Sequence, residues 1–395
     1  MPERPIRREI SIRRARLADA ETIARMVTAL SEAEGGPVPR FDAGACQRDG
    51  FGAAPRFEVL LAEAAGRPAG YALFHPSYDT DRVVQAVYLG DLYVEAWARG
   101  AGIGRLLAAC VARIAAARGE EAMHWTVLRR NIAARRFYAR FAREDDGLLH
   151  CFVDAEGLAR LAANAPLSGA VLRTAEPGDA PLLGWLLSRL LTAVGEEALP
   201  FDAGPRLARH GFGPAPRFRA LIAEQGLEVA GYALYWPIYD TDTGGPLMFL
   251  SDLLVEENWR GRGLALDLMV AIAREAAAAG HRGMLWEVLR NNARARGFYR
   301  RMPKRATRRS SSIVLMTTSA GWRRRGFRLR ARAAPGARLR DGRYRARWRR
   351  RWRLPARRSG RESGPRWHSR RWRRPGVLRI RRVPPGRPAP GDRPR

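Results

Sequence analysis

Lysine is nearly absent from this chain of 395 residues, because Lys304 is the only lysine beside 70 arginines. Cysteine is scarce too: Cys46, Cys110 and Cys151 form no CxxC pair and leave one over in any pairing. The six histidines show no metal-ligand spacing, and no run approaches the ~20 apolar residues of a membrane span. The N-terminal residues also lack the apolar core of a signal peptide. These absences predict a reduced, cytoplasmic protein that binds no metal and does not enter a membrane.

The positive charge is confined to the C-terminal part of the chain. Residues 303–395 contain 32 arginines, one lysine and three acidic residues, and so carry +30 of the net charge of +32. The residues before them are nearly neutral, as in an ordinary globular protein. From residue 303 the sequence is rich in Arg, Pro, Gly and Trp without a hydrophobic period, and we predict a disordered tail.

Two interpretations of this tail stay open. Its tryptophans could stack on bases while its arginines bind phosphates, which would be non-specific and sensitive to salt. The abrupt change of composition inside a repeated fold element, in a chain with strong coding bias, instead favours translation out of frame. On that interpretation the tail contributes nothing to a catalytic site.

An internal repeat is the clearest signal in the chain. Several segments return at an offset of 161 positions: 51–57 at 212–218, 70–73 at 231–234, 78–81 at 239–242 and 137–138 at 298–299. Solenoid repeats are several times shorter, so the offset indicates a duplicated domain. We predict a first domain at 1–163, a linker at 164–169, a second domain at 170–302 without its last strands, and the tail at 303–395.

Each copy alternates strands with helices. Residues 102–118 have apolar side chains at helical spacing, and 87–94 are apolar on both faces, as expected of a central strand. We therefore predict two tandem α/β domains, each with three layers (α/β/α) around a mixed sheet. The closing strand 148–153 is assigned to the first copy, so a chain ending near Ala163 is expected to be complete and active.

A glycine-rich turn joins the central strand to the long helix in both copies. It consists of Arg99, Gly100, Ala101, Gly102, Ile103 and Gly104 in the first copy, and of Arg260, Gly261, Arg262, Gly263, Leu264 and Ala265 in the second. Amides exposed at a helix N-terminus can hold a phosphate, and glycine allows the required close approach. The dinucleotide fingerprint is excluded, because it needs GxGxxG and an acid about twenty residues later.

A second motif follows about 30 residues later in both copies. Asn131, Ala134 and Tyr138 share one face of a short helix, and Asn292 and Tyr299 occupy the same positions in the second copy. The phenol of such a tyrosine can donate a proton. The alternative is an aromatic pair that only packs the helix onto the sheet.

Together these motifs resemble the acetyl-CoA site of the GNAT N-acetyltransferase superfamily, most closely its diamine (spermidine/spermine and thialysine) members. The resemblance covers about residues 10–163 and, less fully, 170–302. It implies acetyl-CoA as co-substrate, with its pyrophosphate on the two glycine-rich turns. It further implies cofactor contacts by Val94, Val255, Asn131 and Asn292. It also implies that the departing thiolate is protonated by Tyr138 in the first copy and by Tyr299 in the second.

One position departs from the diamine enzymes. They carry Glu-Asp on the central strand, and the glutamate accepts a proton from the substrate amine. Here the pair is Gly90-Asp91 in the first copy and Ser251-Asp252 in the second. Asp91 and Asp252 remain as catalytic candidates, and the loop residues Asp79 and Asp240 as substrate-binding candidates for an ammonium group. A base acting through water is the alternative.

The sequence therefore predicts an enzyme that transfers acetyl from acetyl-CoA to a primary amine of a small, polyamine-like or amino-acid-like molecule. One alternative changes the acceptor to an amino sugar or an N-terminal α-amine. Another makes the chain a nucleic-acid-binding protein that acts through its tail, with acyl-CoA as regulator. The first copy is expected to be the better catalyst, because it has both motifs and its closing strands.

Overall fold

The computed structural model describes residues 10–145, 147–199 and 203–302, and the backbone of 310–316. The first copy contains seven strands and five helices among these residues: β1 (Ser11–Arg14), α1 (Ala20–Ala33), α2 (Ala43–Cys46), β2 (Glu58–Ala64), β3 (Arg67–Asp79), β4 (Val84–Val94), α3 (Ile103–Ala117), β5 (Ala122–Leu128), α4 (Ile132–Tyr138), β6 (Arg143–Asp145), β7 (Leu148–Asp154) and α5 (Ala155–Ala162). A π-helical turn, Gln47–Phe51, extends α2.

The second copy repeats this order. Its elements are β8 (Val171–Thr174), α6 (Ala180–Val194), α7 (Ala203–Phe212), β9 (Arg219–Gln225), β10 (Glu228–Asp240), β11 (Gly245–Val255), α8 (Leu264–Ala278), β12 (Gly283–Leu289), α9 (Ala293–Tyr299) and β13 (Ser310–Met316). The predicted long helices and central strands are thus present in both copies.

Each copy has a mixed sheet with a core on both faces. Strands β4 and β5 pair in parallel, as do β11 and β12, while the other ladders are antiparallel. Alternate residues of β2 enter opposite cores: Leu60 packs with α3, and Leu61 packs with α1. This alternation follows from the period of two along a strand. The predicted three-layer architecture is confirmed.

The closing strands are exchanged between the copies, which the sequence did not predict. Strand β7 of the first copy pairs with β12 of the second over all seven residues. In return β13 lies between β5 and β6 in the first sheet. Each sheet is therefore completed by a strand of the other copy, which argues against the expectation that a chain ending near Ala163 is complete. The described residues also include strand β13, which lies beyond the predicted boundary at 302.

The rest of the predicted Arg-rich tail, and the nucleic-acid binding expected of it, lie outside the described residues. Within the part of the chain that the structure describes, no helix is long and apolar enough to cross a membrane. The same residues contain no group of three side chains that could hold a metal ion.

Candidate active sites

The glycine-rich turn of the first copy leaves an open space before helix α3. Gly100 and Gly102 have φ values of +81° and +89°, which side chains rarely adopt, and Gly102 is the N-cap of α3. Among the described residues, nothing lies within 4 Å of the place where a Cβ on Gly102 would be. The first amides of a helix have no intrahelical acceptor, so they face this space. We name it the first cradle, and its residues fit a diphosphate.

A gap between β4 and β5 continues from the first cradle. The two strands pair only over Ala86–Tyr88 and Ala122–His124, although β4 runs on to Val94. The register of β3 against β4 shifts between Leu73 and Phe74, where Gly90 forms a bulge. Backbone groups of β4 beyond Tyr88 therefore have no ladder partner on the β5 side. This gap reaches the predicted residue Val94, at the end of β4.

The predicted arginine of each turn folds back onto its central strand. The Arg99 Nε donates to the Val94 carbonyl at 3.0 Å, and Arg260 Nε donates to the Val255 carbonyl at the same distance. Ile103 and Leu264 are buried in the cores, so only their backbone faces the turn. The turns are therefore alike in their own residues.

The surroundings of the second turn differ. We name the equivalent position before helix α8, at residues 260–265, the second cradle. Gly263 there also has a φ of +89°. A Cβ on Gly263 would lie 2.6 Å from the Cβ of Leu167, which belongs to the linker before β8. The space that is open at the first cradle is occupied by protein at the second.

The asparagines predicted to contact the cofactor are helix caps. The Asn131 side chain accepts from the Ala134 amide at 3.0 Å, and the Asn292 side chain accepts from Ala295 at 3.0 Å. This is the usual hydrogen bond of an N-cap residue, worth about 1 kcal/mol. Capping explains why the Asn-x-x-Ala spacing recurs in both copies.

Tyr138 and Tyr299 occupy equivalent places at the ends of α4 and α9. The ring of Tyr138 packs 4.9 Å from Trp125, and that of Tyr299 packs 5.3 Å from Trp286, between ring centroids. Burial raises the pKa of both phenols well above 10, so both carry their proton at neutral pH. The ring of Tyr138 also packs against Phe137 and Phe141, at 5.0 and 6.0 Å between ring centroids. Ring packing and proton donation are thus compatible in one residue.

Asp91 is buried on β4 and is bonded by residues of both copies. Its carboxylate accepts from the Tyr71 hydroxyl at 3.0 Å and from the Thr241 hydroxyl of the second copy at 3.2 Å. Burial, together with the charges of Asp242 and Asp240, raises the pKa of Asp91 to about 7, although the two hydrogen bonds act to lower it. We call Asp91, Asp240 and Asp242 the first carboxylate cluster.

Asp252 lies in the equivalent second carboxylate cluster, with Asp79 and Asp81 of the first copy. It accepts from the Thr80 hydroxyl at 3.1 Å and from Ser251 at 3.2 Å. Burial, followed by the charge of Asp81, raises the pKa of Asp252 to about 8. Its other oxygen, Oδ2, is buried without a hydrogen-bond partner among the described residues.

The loops that carry these threonines are anchored in the opposite copy by tyrosines. The Tyr78 hydroxyl lies 3.1 Å from His210 Nδ1, while the Tyr239 hydroxyl donates to Asp49 Oδ2 at 3.2 Å. Tyr239 also packs 4.5 Å from Phe57, between ring centroids. Each copy therefore completes the carboxylate cluster of the other.

The loop acids chosen from the sequence close their own turns. Asp79 accepts from the Arg82 amide at 3.0 Å, and Asp240 accepts from the Thr243 amide at 2.9 Å. Sequence reasoning missed Thr80, Asp81, Thr241 and Asp242, which approach the central-strand aspartate of the other copy. The signal was present, because Tyr-Asp-Thr-Asp recurs whole at both loops.

Parallel strands that splay apart beside a glycine-rich helix N-terminus define a class of protein that binds acyl-coenzyme A. Comparison with known sequences agrees: the model of the acetyltransferase (GNAT) family matches residues 24–142 and 188–302. Since these matches cover more than half of the chain, it belongs to the GNAT acetyltransferase family.

Two curated relatives match about one copy of this chain, and a solved structure matches more than one copy. Thialysine N-epsilon-acetyltransferase from Bos taurus is 33% identical over 156 residues, which are 36% of this chain and 91% of that protein. Spermidine/spermine N(1)-acetyltransferase-like protein 1 from Homo sapiens is 31% identical over 113 residues, 27% of this chain and 16% of that protein. The crystal structure of a GCN5-related N-acetyltransferase from Sphaerobacter thermophilus is 20% identical, with a TM-score of 0.46, and covers 78% of this chain and 95% of its own.

The chain is therefore an acetyl-CoA-dependent N-acetyltransferase with tandem domains. The predicted family, enzyme class and co-substrate are confirmed.

Proposed function

We propose that the first copy acetylates a primary amine of a small molecule with more than one charged group, polyamine-like or amino-acid-like. The observation that carries this proposal is the first carboxylate cluster, in which Asp91 meets the second copy's Thr241 and Asp242. Several carboxylates around one buried position favour a cationic ligand. The names of the two relatives, which refer to thialysine and spermidine/spermine, support the same acceptor class.

In this proposal Asp91 is the general base. A protonated amine has no free electron pair, so a group must remove its proton before it attacks. Asp91 replaces the glutamate that the sequence lacks at Gly90, and its pKa of about 7 is close to the most effective value for a base at neutral pH. The hydroxyls of Tyr71 and Thr241 hold its carboxylate in place.

Tyr138 is proposed as the general acid, and the first cradle as the diphosphate site. Acetyl-CoA supplies the activated acetyl group when bound. Tyr138 holds its proton at neutral pH because burial raises its pKa, and it would give that proton to the departing thiolate. The amides at the start of α3 and the helix dipole would hold the diphosphate.

The acceptor is tested with a panel of amines and the full chain. Release of coenzyme A is measured with thialysine, lysine and spermidine, with glucosamine, and with a peptide that has a free N-terminus. We expect the highest kcat/KM with the first three, because each carries a second charged group near the reacting amine. A preference for glucosamine or the peptide would support the alternative acceptors instead.

Gly102→Val should weaken acetyl-CoA binding at least tenfold. The new side chain would enter the open space of the first cradle, and calorimetric titration measures the loss. Gly119→Val is the control for backbone strain without loss of a binding site. Gly119 ends the same helix with a φ of +78° and also has no described atom within 4 Å of its Cβ position. If Gly119→Val weakened acetyl-CoA binding as much as Gly102→Val does, the assignment of the first cradle as the diphosphate site would be contradicted.

Tyr138→Phe should lower kcat about 100-fold, the typical contribution of a general acid, with little change in acetyl-CoA affinity. The substitution keeps the ring that packs on Trp125 and removes only the hydroxyl. Tyr299→Phe makes the same change in the second copy and serves as the matched control. An unchanged kcat in single-turnover measurements would reduce Tyr138 to a packing residue.

A further inference from the structure

The two cradles are built from equivalent residues but have different surroundings. At the first, no described residue lies within 4 Å of a Cβ placed on Gly102. At the second, Leu167 Cβ, Cδ1 and Cγ lie 2.6, 3.3 and 3.5 Å from a Cβ placed on Gly263. Leu167 therefore stands where a ligand of the helix N-terminus would be. We propose that the linker closes the second cradle, so that the chain binds acetyl-CoA at the first copy alone.

Asp267, in the first turn of α8, fixes the linker in this position. Its carboxylate accepts from the Leu167 amide at 2.9 Å, from the Ser168 amide at 2.7 Å and from the Ser168 hydroxyl at 2.5 Å. Asp267 itself is only 4% exposed, whereas Leu167 is 64% exposed, so the linker covers the helix end from the solvent side. Hydrogen bonds to a charged group are stronger than those between neutral groups.

Asp267 also opposes a diphosphate directly. It lies one turn after Gly263, so a diphosphate on this helix end would meet a carboxylate instead of free amides alone. The linker amides donate to that carboxylate, which places a negative charge in the first turn of the helix. Desolvating two like charges together is costly, so the second cradle does not fit the cofactor.

Among the described residues, the first copy has no equivalent anchor. Position 106, which corresponds to 267 at the repeat offset, is leucine. The Leu106 side chain cannot accept hydrogen bonds, so it cannot reproduce the Asp267 network. A second attachment belongs to the linker as well: Arg274 Nε donates to the Ala162 carbonyl at 2.9 Å and Nη2 to the Asn164 carbonyl at 2.7 Å.

This closure assigns different tasks to the two copies. The second copy supplies Thr241 and Asp242 to the first carboxylate cluster and receives the exchanged strand β7. The first copy holds the cofactor and the reacting groups. The inference rests on the proposed assignment of both cradles as diphosphate sites, and it predicts one functional acetyl-transfer site per chain.

The number of cofactor molecules bound per chain tests the inference. Calorimetric titration of the full chain with coenzyme A should give one site per chain, and Gly102→Val should remove it. Two equivalent sites in the unchanged chain, or one site that survives Gly102→Val, would overturn the closure. No binding at all would instead refute the proposed cofactor sites in both copies, so the two failures are distinguishable.

A double variant tests whether the linker is the cause. Asp267→Leu restores the residue of the first copy, and Leu167→Gly removes the side chain over Gly263. Together they should raise the stoichiometry from one to two, measured on protein whose thermal unfolding stays cooperative. A stoichiometry that stays at one in such folded protein would overturn the linker as the block.

Discussion

A chain that ends at Ala163 should show no acetyl transfer and no cooperative unfolding. It would retain β7 without its partner β12, and β5 without β13. The exposed strand edges would favour aggregation. Asp91 would also lose its hydrogen bond from Thr241, although both predicted motifs of the first copy would be present.

The matched comparison is a chain that ends at Met316. It keeps both exchanged strands and both carboxylate clusters, and we expect full acetyl-transfer activity from it. Circular dichroism on heating measures cooperativity, and coenzyme A release with the preferred amine measures activity. Turnover by the chain ending at Ala163 at more than a tenth of the full rate would show that strand exchange is dispensable.

The elements of each copy could be predicted because local patterns determine them. The apolar spacing after Gly102 predicts α3, and the apolar run 87–94 predicts a central strand. The repeat offset then locates their equivalents in the second copy. Such signals lie within about twenty residues of sequence, and no other part of the chain is needed to interpret them.

The exchange of β7 and β13 could not be predicted in the same way. Strand β7 has the same pattern whether it pairs with β5 or with β12, since the two are equivalent strands of a duplicated domain. A repeat makes the two pairings nearly equal in local energy, and chain geometry decides between them. The sequence therefore predicted the strand correctly and its partner wrongly.

The same ambiguity affected the site. The loop residues Asp79 and Asp240 stood out as repeated acids, but their oxygens close local turns. The neighbouring residues Thr80 and Thr241 each donate a hydrogen bond to the central-strand aspartate of the other copy. No residue spacing within one copy indicates this contact. Repetition identified the loops as important but could not distinguish the turn-forming residues from those that serve the site.

Asp91→Asn should lower kcat/KM about 1,000-fold at neutral pH, within the range reported for general bases. The amide has nearly the same shape: its oxygen can accept one of the two hydrogen bonds from Tyr71 and Thr241, and its NH2 group can donate to the other hydroxyl. The amide cannot take up a proton. Asp252→Asn is the matched control in the second copy. It should leave kcat/KM nearly unchanged, because the closed second cradle makes that aspartate a bystander.

The pH dependence distinguishes a base from a residue that only binds substrate. Burial raises the pKa of Asp91 from 3.8 to about 7, so kcat/KM should rise with pH through about 7 as the carboxylate forms. The free energy of unfolding should change with pH in the opposite direction. The folded state favours the protonated form of Asp91, so the stability that this group contributes is fully present below pH 3.8 and is lost as the pH rises through about 7. Asp91→Asn should abolish the rise of kcat/KM and remove the contribution of Asp91 to the stability trend, while the contribution of Asp252 remains. Above pH 7 it should melt at a higher temperature than the unchanged chain. A rise of kcat/KM through pH 7 that persists in Asp91→Asn would assign the base to another group, acting through water.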